Sequence, residues 1–148
     1  MARKEEAVWD RFSGIYDAFM KKDGELYDEI VTRSKRFVSR GDAVLEIATG
    51  TGIIAMGLSG YVSFIEAVEF SPKMIDIARK KALKRGAVDI CFSVQDASSL
   101  QYEDNSFDCV IIANALHIMP EPEKALAEIR RVLRPGGRLI APTFVHAS

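Results

Sequence analysis

From residue 41 onward, short apolar runs alternate with stretches of helical periodicity, and this alternation limits the possible folds more than any other feature of the chain. Alternating strands and helices are typical of α/β proteins, in which right-handed crossovers join parallel strands. The sequence therefore predicts a doubly wound, Rossmann-like α/β sheet, mostly parallel, with a ligand site at the carboxyl ends of the strands where strand order reverses. The predicted strands cover residues 43–47, 62–70, 88–94, 107–113 and 138–145, and the predicted helices cover 53–58, the stretch from Ser71-Pro72 to Gly86, and 122–133.

The first 40 residues precede this alternation and carry helical spacing instead, with Asp23-Gly24 separating two predicted helices. A chain of 148 residues has the size of one domain. We expect a single domain over 1–148, made of a helical cap over 1–40 and a Rossmann-like core over 41–148. The first helix is marked by Val8, Trp9, Phe12, Ile15, Tyr16, Phe19 and Met20, and the second by Leu26, Tyr27, Ile30, Val31, Phe37 and Val38.

The balance of charge restricts the partners that the chain can attract. Its 20 basic and 21 acidic residues give a net charge of −1, which provides no bulk electrostatic attraction to nucleic acid or to an anionic membrane. A local basic patch would not show in this sum. No run approaches the length of a membrane span, and the charged N-terminus lacks the apolar run of a signal peptide. We therefore predict a cytoplasmic protein with no integral membrane segment and no nucleic-acid partner.

Cys91 and Cys109 each lie inside an apolar run rich in β-branched residues. This context predicts two buried free thiols in a reducing compartment. A metal site would need more ligands, and neither of the two histidines is near a cysteine in the sequence. No metal site is predicted.

Gly50 and Gly52 directly follow the first predicted strand and open a helix. Glycine at this junction lets the backbone turn sharply and approach a ligand closely. Two cofactors fit the pattern. Residues 50–55, GTGIIA, satisfy the dinucleotide-binding pattern, and Glu69 lies 19 residues after Gly50, where a ribose-binding acid is expected. The loop and Glu69 together do not distinguish NAD from S-adenosylmethionine.

Glu46 and Asp96 favour the second cofactor. A carboxylate four residues before Gly50 does not suit a pyrophosphate but suits a ligand with an ammonium group. The alternative is a strand-end acid satisfied by backbone amides. Asp96, in the stretch Gln95-Asp96-Ala97 after the third strand, can accept a hydrogen bond from an adenine amino group, or it can cap the following helical turn.

Four motifs then occur in a familiar order. They are VLEIATGTG (44–52), AVEFSPKMIDIARKKA (67–82), QDASSLQYEDNSFDCVIIANALHIM (95–119) and ALAEIRRVLRPGGRLI (125–140). From about residue 42 to 144 the chain resembles the class I S-adenosylmethionine-dependent methyltransferases of type 11. It is most similar to the group that includes the ubiquinone/menaquinone-biosynthesis methyltransferases and the phospholipid N-methyltransferases. The four motifs in order are far more specific than any one of them.

The resemblance implies a role for individual residues. The first loop should surround the methionine part of the cofactor, and an acid should bind the ribose hydroxyls. Apolar side chains should flank the adenine, and a further residue should accept a hydrogen bond from its amino group. Residues after the fourth strand should lie near the sulfonium. A Tyr-Asp pair near the N-terminus should lie over the cofactor. The residues in these roles are Glu46, Ala48, Thr49, Gly50 and Gly52 for methionine, Glu69 for ribose, Phe70, Met74, Asp96 and Ala97 for adenine, Asn114 and Ala115 near the sulfonium, and Tyr16 as a lid.

Two positions depart from the family pattern. The first loop glycine of the family is Ala48 here, which should fit unless the backbone needs a positive φ. The proline that often follows Leu100 is Gln101, which we expect to loosen the turn.

Methyl transfer from a sulfonium is an in-line displacement, so the enzyme mainly positions donor and acceptor and excludes water. No catalytic triad is needed. His117 is a candidate general base, although a loop histidine that shapes the pocket is the more ordinary interpretation. Tyr16 is a second candidate for contact with the reacting centre. The aromatic residues around it in the first helix are more often core, and His146 has no predicted role.

The predicted function is methyl transfer from S-adenosylmethionine to a small-molecule acceptor such as a lipid, a quinone precursor or another metabolite. The alternatives are an NAD-binding dehydrogenase-like domain and a non-catalytic cofactor-binding module. Family members usually continue past the fifth strand with two more strands and a helix, which are absent from this sequence. We therefore expect a C-terminally truncated core, or a homodimer that covers the exposed edge of the fifth strand.

Overall fold

A computed structural model of the chain describes residues 24–143, which form a five-stranded sheet with helices on both faces. The elements in chain order are α1 (Gly24–Ser34), β1 (Ala43–Ile47), α2 (Ile53–Leu58), β2 (Phe64–Glu69), α3 (Pro72–Arg85), β3 (Ile90–Val94), β4 (Phe107–Ile112), a 3-10 turn (Leu116–Ile118), α4 (Pro122–Val132) and β5 (Leu133–Ile140).

All five strands pair in parallel in the order β3-β2-β1-β4-β5, which confirms the predicted doubly wound sheet. The chain moves outward from β1 to β2 and β3, then returns to place β4 on the other side of β1. The strand order therefore reverses at β1, and the loop that follows β1 lies at this reversal.

The sheet has a separate apolar layer on each face because successive side chains of a strand point to opposite faces and helices cover both faces. On one face α1, α2 and α3 pack against a cluster that includes Ile65, Ala67 and Phe92. On the other face α4 packs through Ile129 and Val132 against a second cluster. Its buried strand residues are Ala43, Leu45, Ile47, Val68, Phe107, Val110 and Ile112.

The bounds of α3 follow from its terminal residues. Ser71 is the N-cap, and its hydroxyl accepts a hydrogen bond from the Met74 amide at 3.3 Å. Pro72 occupies the first helical position, where its missing N–H leaves no bond unmade. Gly86 ends the helix with a φ of +69°, in the left-handed conformation expected of a glycine stop.

Asp108 is the polar residue inside the fourth apolar run, and the structure gives the reason for it. Its Oδ2 accepts the Ala43 amide at 2.8 Å and lies 3.0 Å from the Arg134 guanidinium. The Ala43 hydrogen bond and then Arg134 hold the pKa of Asp108 below its usual value. Asp108 thus ties the amino ends of β1, β4 and β5 together.

The fifth strand begins earlier than the predicted residue 138. Leu133 already pairs with Phe107, and pairing resumes at Arg138 opposite Cys109 after an irregularity. Helix α4 ends at Val132 and β5 begins at the next residue, Leu133. Residues 135–137, Pro-Gly-Gly, therefore lie within β5, where they interrupt its pairing with β4. The strand ends at Ile140, before Pro142, and residues 144–145 of the predicted strand lie outside the described residues.

Two side chains that were predicted to be buried, those of Phe37 and Cys91, are exposed. Phe37 was expected on the buried face of the second helix, but the helix ends at Ser34 and Phe37 is 54% exposed. Cys91 was expected to be buried, yet it is exposed because β3 is an edge strand and the connection 95–106 carries no helix to cover it. Cys109 is buried, and burial raises its pKa to about 11. The first predicted helix lies outside the described residues.

Candidate cofactor site

The loop between β1 and α2 turns through three left-handed residues. Ala48 has a φ of +59°, Gly50 of +60° and Gly52 of +84°. A Cβ on Gly52 would come within 2.9 Å of the Phe92 ring, so this glycine is needed for packing as well as for its φ. The Thr49 amide donates to the Val68 carbonyl at 3.0 Å and fixes the loop to the end of β2.

Glu46 lies in β1 beneath this loop and is 2% exposed. Its Oε1 accepts a hydrogen bond from the Thr49 hydroxyl at 2.6 Å. Burial raises the pKa of Glu46 to about 7; the hydrogen bonds from Thr49 and the Ala55 amide oppose this rise, and the charge of Glu69 adds to it. A buried carboxylate with such a pKa gains most from a positively charged neighbour.

Glu69 ends β2 and is 6% exposed. Its Oε1 accepts the Gly50 amide at 3.2 Å, and its Oε2 accepts the Ser71 amide at 2.9 Å. One carboxylate therefore connects the loop between β1 and α2, which we call the cofactor loop, to the start of α3. The sequence pointed to a ribose ligand here but not to this bracing role, because the Gly50 amide lies beside the Glu69 carboxylate only in the fold.

Asp96 is exposed in the turn after β3 and adopts the capping arrangement that was considered as the alternative for it. Its Oδ1 accepts hydrogen bonds from the Ser98 amide at 2.9 Å and the Ser98 hydroxyl at 2.7 Å. A carboxylate has acceptor capacity beyond these two bonds, so capping is compatible with contact to an adenine amino group. That contact stays a prediction, as does the role of the half-buried Ala97.

Gln101 does not loosen the turn as expected. Its backbone amide, which a proline would lack, donates to Gln95 Oε1 at 3.0 Å. The Gln95 side chain then donates to Ser93 Oγ at 3.0 Å and to the Tyr102 hydroxyl at 3.2 Å, and Tyr102 donates to Glu66 at 3.2 Å. Burial and the charge of Glu66 raise the pKa of Tyr102 to about 12. This network holds the residues on both sides of Asp96-Ala97.

The remaining predicted residues also follow the carboxyl ends of β2 and β4. Phe70 is half-buried, whereas Met74 is fully buried under the start of α3. Asn114 has a φ of +52°, and its amide donates to the Pro142 carbonyl at 2.7 Å. Ala115 is buried just before the 3-10 turn, on which His117 is exposed. Tyr16 lies outside the described residues.

Lys81 is a residue that the sequence analysis missed. Its Nζ donates to Thr51 Oγ1 at 3.2 Å, so a cation from α3 reaches the cofactor loop. Nothing in the sequence distinguished Lys81 from the other basic residues of this helix.

No cluster of three or more potential metal ligands occurs in residues 24–143.

Residues 45–141 match the model of a methyltransferase domain family, and this match covers more than half of the chain. The chain belongs to this methyltransferase family. The matched segment runs from β1 to the end of β5, so the family domain contains the loop, both carboxylates and the Asp96 turn.

Individual relatives agree with this assignment. A demethylmenaquinone methyltransferase of Thermus thermophilus is 43% identical over 103 residues, which are 68% of this chain and 46% of that protein. Another from Clavibacter sepedonicus is 32% identical over 142 residues, 93% of this chain and 57% of that protein. Among solved structures, the cyclase SpnF is 34% identical with a TM-score of 0.72, over 76% of this chain and 43% of that one. The chain spans about half the length of the curated relatives that it matches.

The positive φ of Ala48 leads to the first prediction. Alanine is strained in this conformation because its Cβ approaches the following carbonyl oxygen. Ala48→Gly should raise the free energy of unfolding by about 1 kcal/mol, since the strain removed exceeds the entropy that glycine adds to the unfolded chain. Asn105→Gly is the control, because asparagine tolerates its φ of +56°. Urea denaturation measures both, and a destabilised Ala48→Gly variant would show that the alanine is not strained.

The raised pKa of Glu46 leads to the second prediction. Because the folded state holds the Glu46 proton more tightly than the unfolded state, the wild type should lose stability as pH rises from about 4.5 through 7. Glu46→Gln removes this loss and should stabilise the ligand-free chain by on the order of 2 kcal/mol at pH values above 7. The difference should shrink toward acidic pH, as measured by denaturation across the range.

Glu128→Gln provides a control of opposite sign. Its hydrogen bonds from Arg131 hold the pKa of Glu128 below the usual value, so the carboxylate stabilises the fold above that value. This variant should be less stable than the wild type at neutral pH. A pH-independent effect of Glu46→Gln would mean that Glu46 keeps an ordinary pKa.

Proposed function

We propose that this domain binds S-adenosylmethionine at the β1–α2 loop and transfers its methyl group to a small-molecule acceptor. The observation that carries the proposal is the pair of buried carboxylates, Glu46 and Glu69, beneath a glycine loop at the point where strand order reverses in a methyltransferase-family domain. Acidic groups here suit an ammonium, a sulfonium and ribose hydroxyls, and they oppose a pyrophosphate.

Residue roles follow the chemistry of each group. Glu46 would balance the positive charge of the methionine part, while the open loop backbone admits its approach. Glu69, which accepts the Gly50 and Ser71 amides, would also accept ribose hydroxyls. The proposed cofactor-binding set is Tyr16, Glu46, Ala48, Thr49, Gly50, Gly52, Glu69, Phe70, Met74, Asp96, Ala97, Asn114 and Ala115.

When bound, the cofactor supplies a methyl group on a positively charged sulfur, which is a good leaving group. The protein then needs to hold the acceptor in line and keep water away. The exposed position of His117 after β4 would let it take a proton from a hydroxyl or amine acceptor. Met74 would support the adenine site from below, because its side chain has no exposed surface in this structure.

The acceptor class is inferred from relatives. Those quoted above are named demethylmenaquinone methyltransferases, so a quinone precursor is the first acceptor to test, followed by lipids and other metabolites. Because the chain spans about half their length, its own activity and substrate are both part of this proposal.

Organisation and location belong to the same proposal. We infer one domain over 1–148 and a homodimer in which the open β5 edge and the exposed Leu126 and Leu139 beside it meet a second copy. A concentration-independent monomer in sedimentation experiments would refute the dimer.

The free thiols support a cytoplasmic location. Recovery of a tagged chain among secreted proteins would contradict this location. None of the described helices combines the length and apolar character of a membrane span.

A second function is kept open by one observation. The structural relative SpnF is named a cyclase, so similarity of the fold does not by itself require methyl transfer. A non-catalytic cofactor-binding module, or an NAD-binding domain based on the 50–55 pattern, would also use this loop.

Calorimetry with S-adenosylhomocysteine and NAD distinguishes the cofactors. We expect saturable binding of the first and none of the second. Gly50→Val should reduce this binding at least tenfold, because valine at a φ of +60° distorts the loop and blocks the ligand. Gly60→Val is matched to it, since Gly60 has a φ of +85° and open space around it, far from the loop. The Gly60→Val variant should lose a comparable amount of stability but still bind S-adenosylhomocysteine. Saturable binding of NAD by the wild type, without binding of S-adenosylhomocysteine, would overturn the cofactor assignment.

Transfer of a labelled methyl group to a cell extract tests the activity itself. We expect a labelled small molecule, identified by mass spectrometry, whose yield falls with Glu46→Gln. Tight S-adenosylhomocysteine binding by this chain with no labelled product would favour the non-catalytic module.

A further inference from the structure

The edge of the sheet opposite the cofactor loop carries exposed apolar side chains. Three loops meet there, over residues 35–42, 59–63 and 86–89, and they lead into β1, β2 and β3. Of the nine exposed large apolar residues in 24–143, five lie on these loops or next to them. They are Phe37 at 54% exposure, Tyr61 at 48%, Phe64 at 42%, Leu83 at 84% and Val88 at 96%. We call the three loops and these five residues the amino-edge surface.

The loops of the amino-edge surface are joined to one another. The Ser63 amide donates to the Asp42 carbonyl at 2.9 Å, and the Ile65 amide donates to the Asp89 carbonyl at 2.8 Å. Lys35 Nζ lies 3.8 Å from the centroid of the Tyr61 ring, a cation–π contact. The apolar side chains are thus presented on a single connected rim.

The same surface is positively charged. Arg36, Arg40, Lys84 and Arg85 are all exposed on it or at the end of α3 beside it. The acidic residues of the three loops are both engaged. Asp42 pairs with Arg138 at 2.7 Å, and Asp89 accepts the Gly60 amide at 2.7 Å.

We propose that the amino-edge surface docks on an anionic lipid bilayer. Leu83 and Val88 would enter the interface, and the four exposed basic residues would meet lipid phosphates. A bilayer accepts side chains that protrude singly from a helix end and a loop among basic residues, whereas the core of a protein–protein interface is depleted in charged residues. Single-stranded RNA would stack its bases on aromatic rings, but the two most exposed apolar residues of this surface, Leu83 and Val88, are aliphatic, and Lys35 already lies over the Tyr61 ring. The net charge of −1 hides this patch, because acidic residues elsewhere balance it.

The docked orientation has a consequence. The amino-edge surface and the cofactor loop lie at opposite ends of the strands, so the docked domain turns its cofactor loop toward water. Docking would concentrate the domain at a membrane without inserting its site into the bilayer. It therefore does not depend on the methyl-transfer proposal and can fail or succeed independently.

Flotation of the full chain with vesicles tests the proposal. We expect binding to vesicles of phosphatidylcholine plus phosphatidylglycerol, weakening with added salt, and no binding to phosphatidylcholine vesicles. Lys84→Glu with Arg85→Glu should weaken binding by roughly tenfold or more. Leu83→Ser with Val88→Ser should weaken it as well, and the exposure of both residues leaves the core untouched.

Ile118→Ser with Lys124→Glu is the matched control, because both residues are exposed but lie toward the cofactor edge. This variant should bind as the wild type does. If a tested variant misfolds by circular dichroism, Arg36→Glu with Arg40→Glu replaces it on another loop. Absence of binding to anionic vesicles, equal losses in control and surface variants, or binding to single-stranded RNA in place of vesicles would each overturn the proposal.

Discussion

The site depends on the burial of two carboxylates at the ends of neighbouring parallel strands. Glu69 gives the loop its shape by accepting amides from Gly50 and Ser71, and Glu46 lies beneath the loop with a pKa near 7. Keeping Glu46 buried costs stability in the ligand-free chain, because both its desolvation and its repulsion by Glu69 oppose ionisation. A bound positive charge would offset that cost. The burial of Glu46, which lowers the free energy of unfolding of the chain, would therefore favour a cationic ligand.

The architecture was largely predictable because each local signal agreed with the global fold. The apolar runs of β1 and β4 are buried on both faces, and Ser71-Pro72 and Gly86 define the ends of α3. The misplaced elements are those where tertiary context decides. The start of β5 at Leu133 depends on pairing with Phe107, which no local pattern encodes. Phe37 has helical spacing but follows the helix end, and Cys91 is exposed because no helix covers its edge strand.

For the site, the sequence located the loop and both carboxylates but not the contacts among them. The hydrogen bond from Thr49 to Glu46 follows from the sharp turn after β1. The strain at Ala48 could be stated only as a condition until its φ was known. The order of the turn at Gln101 comes from the backbone amide of this residue, and it depends on where the fold places the Gln95 side chain. Family motifs identify residue types, while these contacts depend on distances that only the fold provides.

The electrostatics of the loop, more than its glycines, distinguish the two candidate cofactors. In a dinucleotide site the amino end of the following helix attracts the pyrophosphate with roughly half a positive charge. Here α2 has only six residues, and two carboxylates lie under its start. Lys81 also brings a positive charge to the loop, so Glu46, buried beneath it, is the residue that separates the two cofactors. A buried carboxylate there would gain from the ammonium group of a methionine ligand and would gain nothing from a pyrophosphate, although the glycine pattern accommodates either ligand.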